Sequence, residues 1–96
     1  MKLENWYIQI ACSNKTGRLQ DLLKVPCRLA GNIYGDSKLK DGCFVSTHII
    51  MNIQNGVATT MSGISYALGT PFANFKDYVS IKDSTEAIQI PQKFLK

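Results

Sequence analysis

The side chains in this sequence that could act as nucleophiles are three cysteines, Cys12, Cys27 and Cys43, which share the chain with a single histidine, His48. A cysteine becomes a strong nucleophile when a histidine within hydrogen-bond reach takes its proton. Five residues separate Cys43 from His48, which on a straight strand is about 16 Å, with the side chains on opposite faces. That pair is excluded, and no residue stands out that would orient His48 against Cys12 or Cys27 through the fold. We predict a surface histidine, no catalytic residue and no enzymatic activity.

The cysteines do not follow a disulfide or metal-binding pattern. Their number is odd and no two of them have Cys-x-x-Cys spacing. One histidine with scattered cysteines also lacks the close local spacing of a typical zinc site. We therefore predict reduced thiols, no metal site and no cofactor.

Two further patterns contain catalytic residue types, but each has a structural explanation. Asp36 and Asp41 could do general acid-base work in a pocket, yet each stands beside a glycine, as turn-forming residues do. We expect them to form the two corners of one loop over residues 35–42. The polar loop at residues 13–17 contains a lysine followed by a threonine, but it lacks the leading glycines of a phosphate-binding loop.

Positive charge is concentrated between Lys15 and Lys40. Six cations and two aspartates give this segment a net charge of +4, equal to that of the whole chain. Cations beside an aromatic side chain can bind the phosphates and stack the bases of single-stranded nucleic acid or a nucleotide, although basic side chains spread over a helix, a strand and a loop are also typical of an ordinary solvated surface. The candidate ligand-binding residues are Lys15, Arg18, Arg28, Tyr34, Lys38 and Lys40.

The clearest fold signal lies in residues 43–69, where Asn55-Gly56 and Ser62-Gly63 divide a β-rich run into three short strands. A two-residue turn at Asn55-Gly56 would place Gln54 opposite Val57 and so mix polar with apolar residues. We therefore predict a three-residue loop over residues 54–56, with Ile53 opposite Val57 and glycine in the left-handed conformation, and a tight two-residue turn at Ser62-Gly63.

This register gives the meander one apolar face and one flat face of mostly small and polar side chains. The flat face is predicted to carry Ser46, His48, Ile50, Asn52, Ala58, Thr60, Ser65 and Ala67. Such a face is either solvated or a docking platform. The candidate partner-binding residues are Ser46, His48, Asn52, Thr60 and Ser65.

The other elements follow from periodicity and breakers. We predict a first strand from Trp6 to Cys12, at most two helical turns over residues 18–24, a second strand over residues 27–35, a short helix beginning at Thr70-Pro71, an edge strand over residues 87–90 and a loose tail over residues 91–96. The predicted fold is a single mainly β domain spanning residues 1–96, with one or two short helices and a strongly bent antiparallel sheet or small barrel of five to six strands.

Length and hydropathy favour a soluble protein. The chain has 96 residues, none of its apolar runs approaches the eighteen or so needed to cross a bilayer, and its first residues lack the apolar stretch of a signal peptide. We expect a cytoplasmic protein without membrane contact.

Three successive segments of the chain together make up one pattern: Leu29-x-Gly31-x-Ile33-Tyr34-Gly35-Asp36, then Asp41-Gly42-x-x-Val45-x-Thr47, then Thr60-x-Ser62-Gly63-x-x-Tyr66-x-Leu68-Gly69. The pattern resembles small uncharacterised β-rich proteins encoded by bacterial phages and mobile elements, and it covers about half of the chain. The resemblance implies a genetic setting and a recurring turn framework, and it raises the expectation of a protein that inhibits or sequesters a host component.

Two functions follow from this sequence. The first is a small non-enzymatic interaction protein, able to form homo-oligomers, that binds a protein partner through its flat sheet face or an edge strand. The alternative is a small β-barrel that binds nucleic acid or a nucleotide with the basic segment over residues 15–40.

Overall fold

The computed structural model describes residues 1–13, 15–72 and 88–89, and their secondary structure is mainly β. One short 3-10 helix, Leu19–Leu23, lies between the first two strands. The strands are β1 (Lys2–Ile10), β2 (Cys27–Tyr34), β3 (Cys43–Gln54), β4 (Val57–Thr60), β5 (Ser65–Leu68) and β6 (Ile88–Gln89).

Five of these strands form a closed ring. β1, β2, β3, β4 and β5 are neighbours in that order, and β5 returns to β1. The β1–β5 contact is parallel and the others are antiparallel, while β6 adds an antiparallel strand to β3 outside the ring. The predicted mainly β fold with a strongly bent sheet is therefore confirmed.

Strand β1 is hydrogen-bonded along both of its edges. β2 covers one edge, and the other is covered first by β5, then by residues 69–72 and finally by residues 15–17. On this second edge, β1 carbonyl oxygens accept from backbone N–H groups of the covering segments: Met1 from Ala67 (2.9 Å), Leu3 from Gly69 (2.8 Å), Trp6 from Phe72 (2.8 Å) and Ile8 from Gly17 (2.7 Å). Two β1 N–H groups donate in return, Asn5 to Thr70 O (2.6 Å) and Ile10 to Lys15 O (2.8 Å).

The core fills the ring. A register shift between Glu4 and Tyr7, where Asn5 has a φ of 53°, allows Leu3 and Trp6 both to face inward. The Trp6 indole N–H donates to Gly69 O (2.9 Å), which satisfies the polar atom of this large side chain. The buried apolar side chains are Leu3, Trp6, Ile8, Leu22, Cys27, Leu29, Ala30, Ile33, Ile50, Ile53, Ala58 and Tyr66.

The two turns of the meander have the opposite lengths from those predicted. Gln54 pairs with Val57, so Asn55-Gly56 is a two-residue turn, with φ values of 52° and 75°. Positive φ at both positions matches the right-handed twist of the flanking strands, and this preference outweighs the mismatch between polar Gln54 and apolar Val57. The second turn has three residues, because Thr60 N–H donates to Ile64 O (3.0 Å) and Gly63 is left-handed with a φ of 83°.

These exchanged turns reverse the faces of β4. Ala58 and Thr60 are buried, while Val57 and Met61 are exposed. Thr60, predicted to bind a partner, instead lies in the core, where its hydroxyl is hydrogen-bonded to the Ser62 hydroxyl (2.8 Å). The predicted position of Thr60 on the exposed flat face is therefore wrong.

A bulge in β3 corrects a second assignment. The β3–β4 register shifts between Ile50 and Asn52, so one extra residue, Met51, lies between them. This shift turns both Ile50 and Ile53 toward the core, although the sequence placed Ile50 on the flat exposed face.

The remaining elements agree with the predictions only in part. The short helix and β2 lie where they were predicted, and β1 begins earlier, at Lys2, and ends at Ile10. Pro71 forms an isolated bridge with Trp6 instead of beginning a helix; Phe75 and Val79 of that predicted helix lie outside the described residues. The edge strand is present at Ile88–Gln89, and residues 90–96 are outside the described part.

Candidate functional site

The candidate site is the outward surface of β2 and β3, where an aromatic side chain is exposed to solvent. Phe44 is 59% exposed, the largest value among the large apolar side chains that the structure describes. It lies opposite Asn32, and Ser46 lies opposite Ala30. We call this surface the Phe44 face and define it by Asn32, Tyr34, Phe44 and Ser46, with the exposed His48 at its end.

Tyr34 extends the aromatic area of the Phe44 face. It is two residues from Asn32 on β2, so both side chains point to the same side of the sheet, and it is 39% exposed. Its hydroxyl lies beside Gly42, at 3.6 Å from the position that a Cβ would occupy there. The tyrosine ring therefore lies across the start of β3, close to the backbone.

Asn32 holds the centre of the Phe44 face in place. Its side-chain N–H donates to Gly42 O (3.0 Å), and its side-chain oxygen accepts from the side-chain N–H of Asn5 (3.1 Å). These two bonds connect β1, β2 and the start of β3. The polar atoms between the two aromatic side chains are thus used to stiffen the surface.

The loop over residues 35–42 is ordered by its aspartates, as predicted. The Asp36 carboxylate accepts from the N–H groups of Lys38 (2.6 Å) and Leu39 (3.1 Å), and these bonds hold the pKa of Asp36 below its ordinary value. Asp41 accepts from Gly35 N–H (3.0 Å) at the other corner. The two acids therefore shape a loop that presents Lys38 and Lys40 to solvent.

A second bulge in β3 separates Ser46 from His48. The β2–β3 register shifts between Arg28 and Ala30, and at this shift the Thr47 hydroxyl accepts from Leu29 N–H (3.0 Å) and donates to His48 O (2.8 Å). The hydroxyl takes the place of a backbone ladder bond. Thr47 is buried, whereas Ser46 and His48 are exposed on either side of it.

The predicted ligand-binding residues fall into two groups. Lys15 and Arg18 lie in the connection between β1 and β2, and Arg28 lies near the start of β2, where its guanidinium donates to the Gln9 side chain (3.0 Å). Tyr34, Lys38 and Lys40 lie at the other end of β2. Six residues of strand separate Arg28 from Tyr34, or about 20 Å, so these candidates do not form one cluster.

The predicted partner-binding residues are divided as well. Ser46 and His48 belong to the Phe44 face. Asn52 and Ser65 lie on another part of the ring, each opposite Thr59, whose hydroxyl is hydrogen-bonded to that of Ser65 (3.2 Å). Thr60 is in the core.

The thiols do not form a reactive cluster. Burial raises the pKa of Cys27 to about 11, so this thiol is protonated at neutral pH. Cys12 and Cys43 are exposed and, like Cys27, are free. Within the residues that the structure describes, no group of three or more His, Cys, Asp or Glu side chains could hold a metal ion.

Sequence reasoning missed Phe44, the most exposed member of the site. A usable signal was present, because Phe44 is two residues before Ser46 and therefore on the same side of the strand. The predicted flat face began at Ser46 and therefore did not include Phe44.

Among the described residues, no helix is long and apolar enough to cross a membrane. Comparisons of the chain with protein-family models, with curated proteins and with solved structures found no match.

Proposed function

We propose that this chain is a small non-enzymatic interaction protein that binds a protein partner through the Phe44 face. The observation that carries the proposal is the exposure of Phe44 beside Tyr34. Aromatic side chains are enriched among the residues that dominate protein interfaces. Burying a phenylalanine completely contributes about 1.5–3 kcal/mol, and more than half of the Phe44 surface remains to be covered, so about 1–2 kcal/mol is available from this side chain.

The ordered surroundings of Phe44 favour the same function. Asn32 is hydrogen-bonded to the two neighbouring chain segments, and the adjoining loop is held by Asp36 and Asp41. A surface that is already ordered loses little conformational entropy when a partner binds. The Phe44 face is therefore suited to rigid docking.

Charge and thiol chemistry indicate the kind of partner. The exposed Lys38 and Lys40 lie in the loop beside the Phe44 face, and the whole chain carries +4, so the partner presents an apolar side chain flanked by carboxylates. In this proposal the protein acts in the cytoplasm, where the exposed thiols of Cys12 and Cys43 stay reduced. The resemblance to phage and mobile-element proteins favours a host component as the partner.

The first experiment places a photoreactive phenylalanine analogue at position 44, with a control at position 20, which is exposed in the 3-10 helix. Irradiation in cells that express the protein should yield a discrete product with a foreign protein from position 44 only. The captured protein is then purified and its affinity measured. We expect Phe44→Ala to raise Kd about 5- to 30-fold.

The matched control for that measurement is Met61→Ala, which removes another exposed apolar side chain at the β4–β5 turn. Met61→Ala should leave Kd unchanged. Equal effects of the two substitutions, or the same cross-linked products from positions 44 and 20, would refute the proposal.

A second candidate is the binding of single-stranded nucleic acid at the same end of β2. The observation that favours it is that Tyr34 lies opposite Lys2 and precedes the loop that carries Lys38 and Lys40, although the Lys2 ammonium lies 3.9 Å from the Glu4 carboxylate. Stacking on tyrosine and phosphate contacts to lysine are the usual elements of such a site.

Fluorescence anisotropy of a labelled oligodeoxythymidylate tests this second candidate. Binding that weakens steeply with salt, with a shallower salt dependence in the Lys38→Ala/Lys40→Ala double variant, would support it. The control is Lys15→Ala/Arg18→Ala, which removes the same charge at the opposite end of β2. An oligonucleotide that fails to bind at low salt rejects this candidate.

A further inference from the structure

We propose that two copies of this chain pair in antiparallel fashion through the outer edge of β3 at residues 44–46. This inference goes beyond the proposed function, because it uses backbone groups and a second copy instead of side chains and a foreign protein. It rests on the direction of the β3 backbone groups and on the character of the side chains along this edge.

The hydrogen bonds of β2 determine which way the β3 backbone points. Leu29 N–H donates to the Thr47 hydroxyl, and Ile33 O accepts from Gly42 N–H, so these odd-numbered residues of β2 direct their backbone groups toward β3. Because alternate residues of a strand point to opposite edges, Gly31 also faces β3 and shares hydrogen bonds with its partner Val45.

The backbone groups of Phe44 and Ser46 consequently point to the other edge. On that edge, β4 pairs with β3 from Ile50 to Gln54. One further bond, from Met61 N–H to Ile49 O (2.8 Å), extends this contact by one residue toward the start of β3. No residue in the described part of the chain pairs with β3 there at residues 44–46. The Phe44 carbonyl oxygen accepts a long contact from the Cys43 thiol (3.9 Å), which leaves one of its lone pairs open. Two N–H and two C=O groups can therefore pair with another strand.

This edge lacks most of the features that protect natural edge strands from pairing. β3 from Cys43 to His48 contains neither a charged residue nor a proline, and its members include a phenylalanine, a valine and a threonine, which favour β structure. The bulge at Thr47 limits the available length to residues 44–46. The edge is thus short but permissive.

A second copy fits this edge better than an unrelated strand. Antiparallel pairing about a twofold axis at Val45 sets Phe44 of each copy opposite Ser46 of the other. The two N–H and two C=O groups of each copy then all pair with the other copy, in four hydrogen bonds. The chain carries +4, and two copies repel each other least where they meet through an uncharged segment. The two Phe44 faces would then form one continuous surface.

The test uses size-exclusion chromatography with light scattering on the whole chain. The wild type should have about twice the monomer mass of 10.7 kDa. Ser46→Pro removes the outward N–H, a substitution that edge strands accept, and should give a folded monomer. Ser46→Ala removes the same hydroxyl but keeps the N–H, and it should remain a dimer.

Amide hydrogen exchange on the wild type decides the question if Ser46→Pro does not fold. The amides of Phe44 and Ser46 should lose protection on dilution as the dimer dissociates, while the Val45 amide, which bonds to β2, should stay protected at every concentration. A wild type that is monomeric throughout, a folded Ser46→Pro dimer, or Phe44 and Ser46 amides that exchange rapidly at all concentrations would each overturn the proposal.

These results remain separate from those on the proposed function. Cross-linking at position 44 to a second copy gives a product of twice the chain mass, whereas a foreign partner gives another mass. A wild type that is monomeric at every concentration would overturn the pairing of two copies and would leave the capture of a foreign protein at position 44 still to be decided by the mass of its product.

Discussion

The faces of β4 can be tested by adding one hydroxyl at each of two neighbouring positions. Ala58 is fully buried, whereas Val57 is 38% exposed. Ala58→Ser and Val57→Thr each add a hydroxyl with little change in side-chain size. The structure requires the first substitution to be costly and the second to be nearly neutral.

The magnitudes follow from burial. Transferring a hydroxyl into a protein core without a hydrogen-bond partner costs about 1–3 kcal/mol. A surface substitution such as Val57→Thr usually changes the free energy of unfolding by no more than about 0.5 kcal/mol. For a chain of this size, a loss of about 2 kcal/mol lowers Tm by roughly 8–16 °C, and about 0.5 kcal/mol lowers it by roughly 2–4 °C.

The assay is thermal and urea unfolding followed by the fluorescence of Trp6, which is the single tryptophan of the chain and 2% exposed. We expect Ala58→Ser to unfold well below Val57→Thr. The reverse order would show that Val57 faces the core, and the two-residue turn at Asn55-Gly56 would then be wrong.

Substitutions at three other positions test separate features. Gly31→Ala would set a Cβ 2.8 Å from the Glu4 carbonyl oxygen, and we expect this overpacking to cost about 1–3 kcal/mol in urea unfolding; unchanged stability would contradict the close strand approach. Thr47→Val should leave the N–H of Leu29 without its acceptor and increase its hydrogen-exchange rate, whereas Thr47→Ser should keep that amide protected; equal rates in the two variants would argue against the hydroxyl bond. Because folding raises the pKa of Cys27 from 9.0 to about 11, its contribution to stability is complete below pH 9 and is lost as the pH rises toward 11. The free energy of unfolding should therefore fall more over that range in the wild type than in Cys27→Ala, and parallel pH profiles would count against a buried thiol.

The sequence predicted the parts of the fold that depend on local signals. Asn55-Gly56 and Ser62-Gly63 marked both turns, and the glycines beside Asp36 and Asp41 marked the loop. The length of the first turn was mispredicted, because cross-strand pairing was weighed above the preference of Asn-Gly for a two-residue turn with positive φ at both positions.

The two bulges in β3 and the separation of the basic side chains could not be predicted from the sequence, for a different reason. The bulge at Met51 has no glycine or proline to mark it, yet it decides whether Ile50 is buried. Lys15 and Lys40 belong to one run of charge in the chain, but they flank β2 on either side and so are carried to its opposite ends. Proximity along the sequence therefore did not predict a shared surface.

The double pairing of β1 bears on the order in which the molecule is made. β1 includes residues 2–10, but its second edge is completed by β5 and residues 69–72, which lie more than sixty positions later. Contacts so distant in sequence close late, because a long loop must be ordered before they form. During synthesis, the first strand leaves the ribosome with one edge open and cannot be enclosed until about residue 72 has followed it. Until then the nascent chain carries an unprotected β edge, and this is the interval in which it is most prone to mispair with other chains.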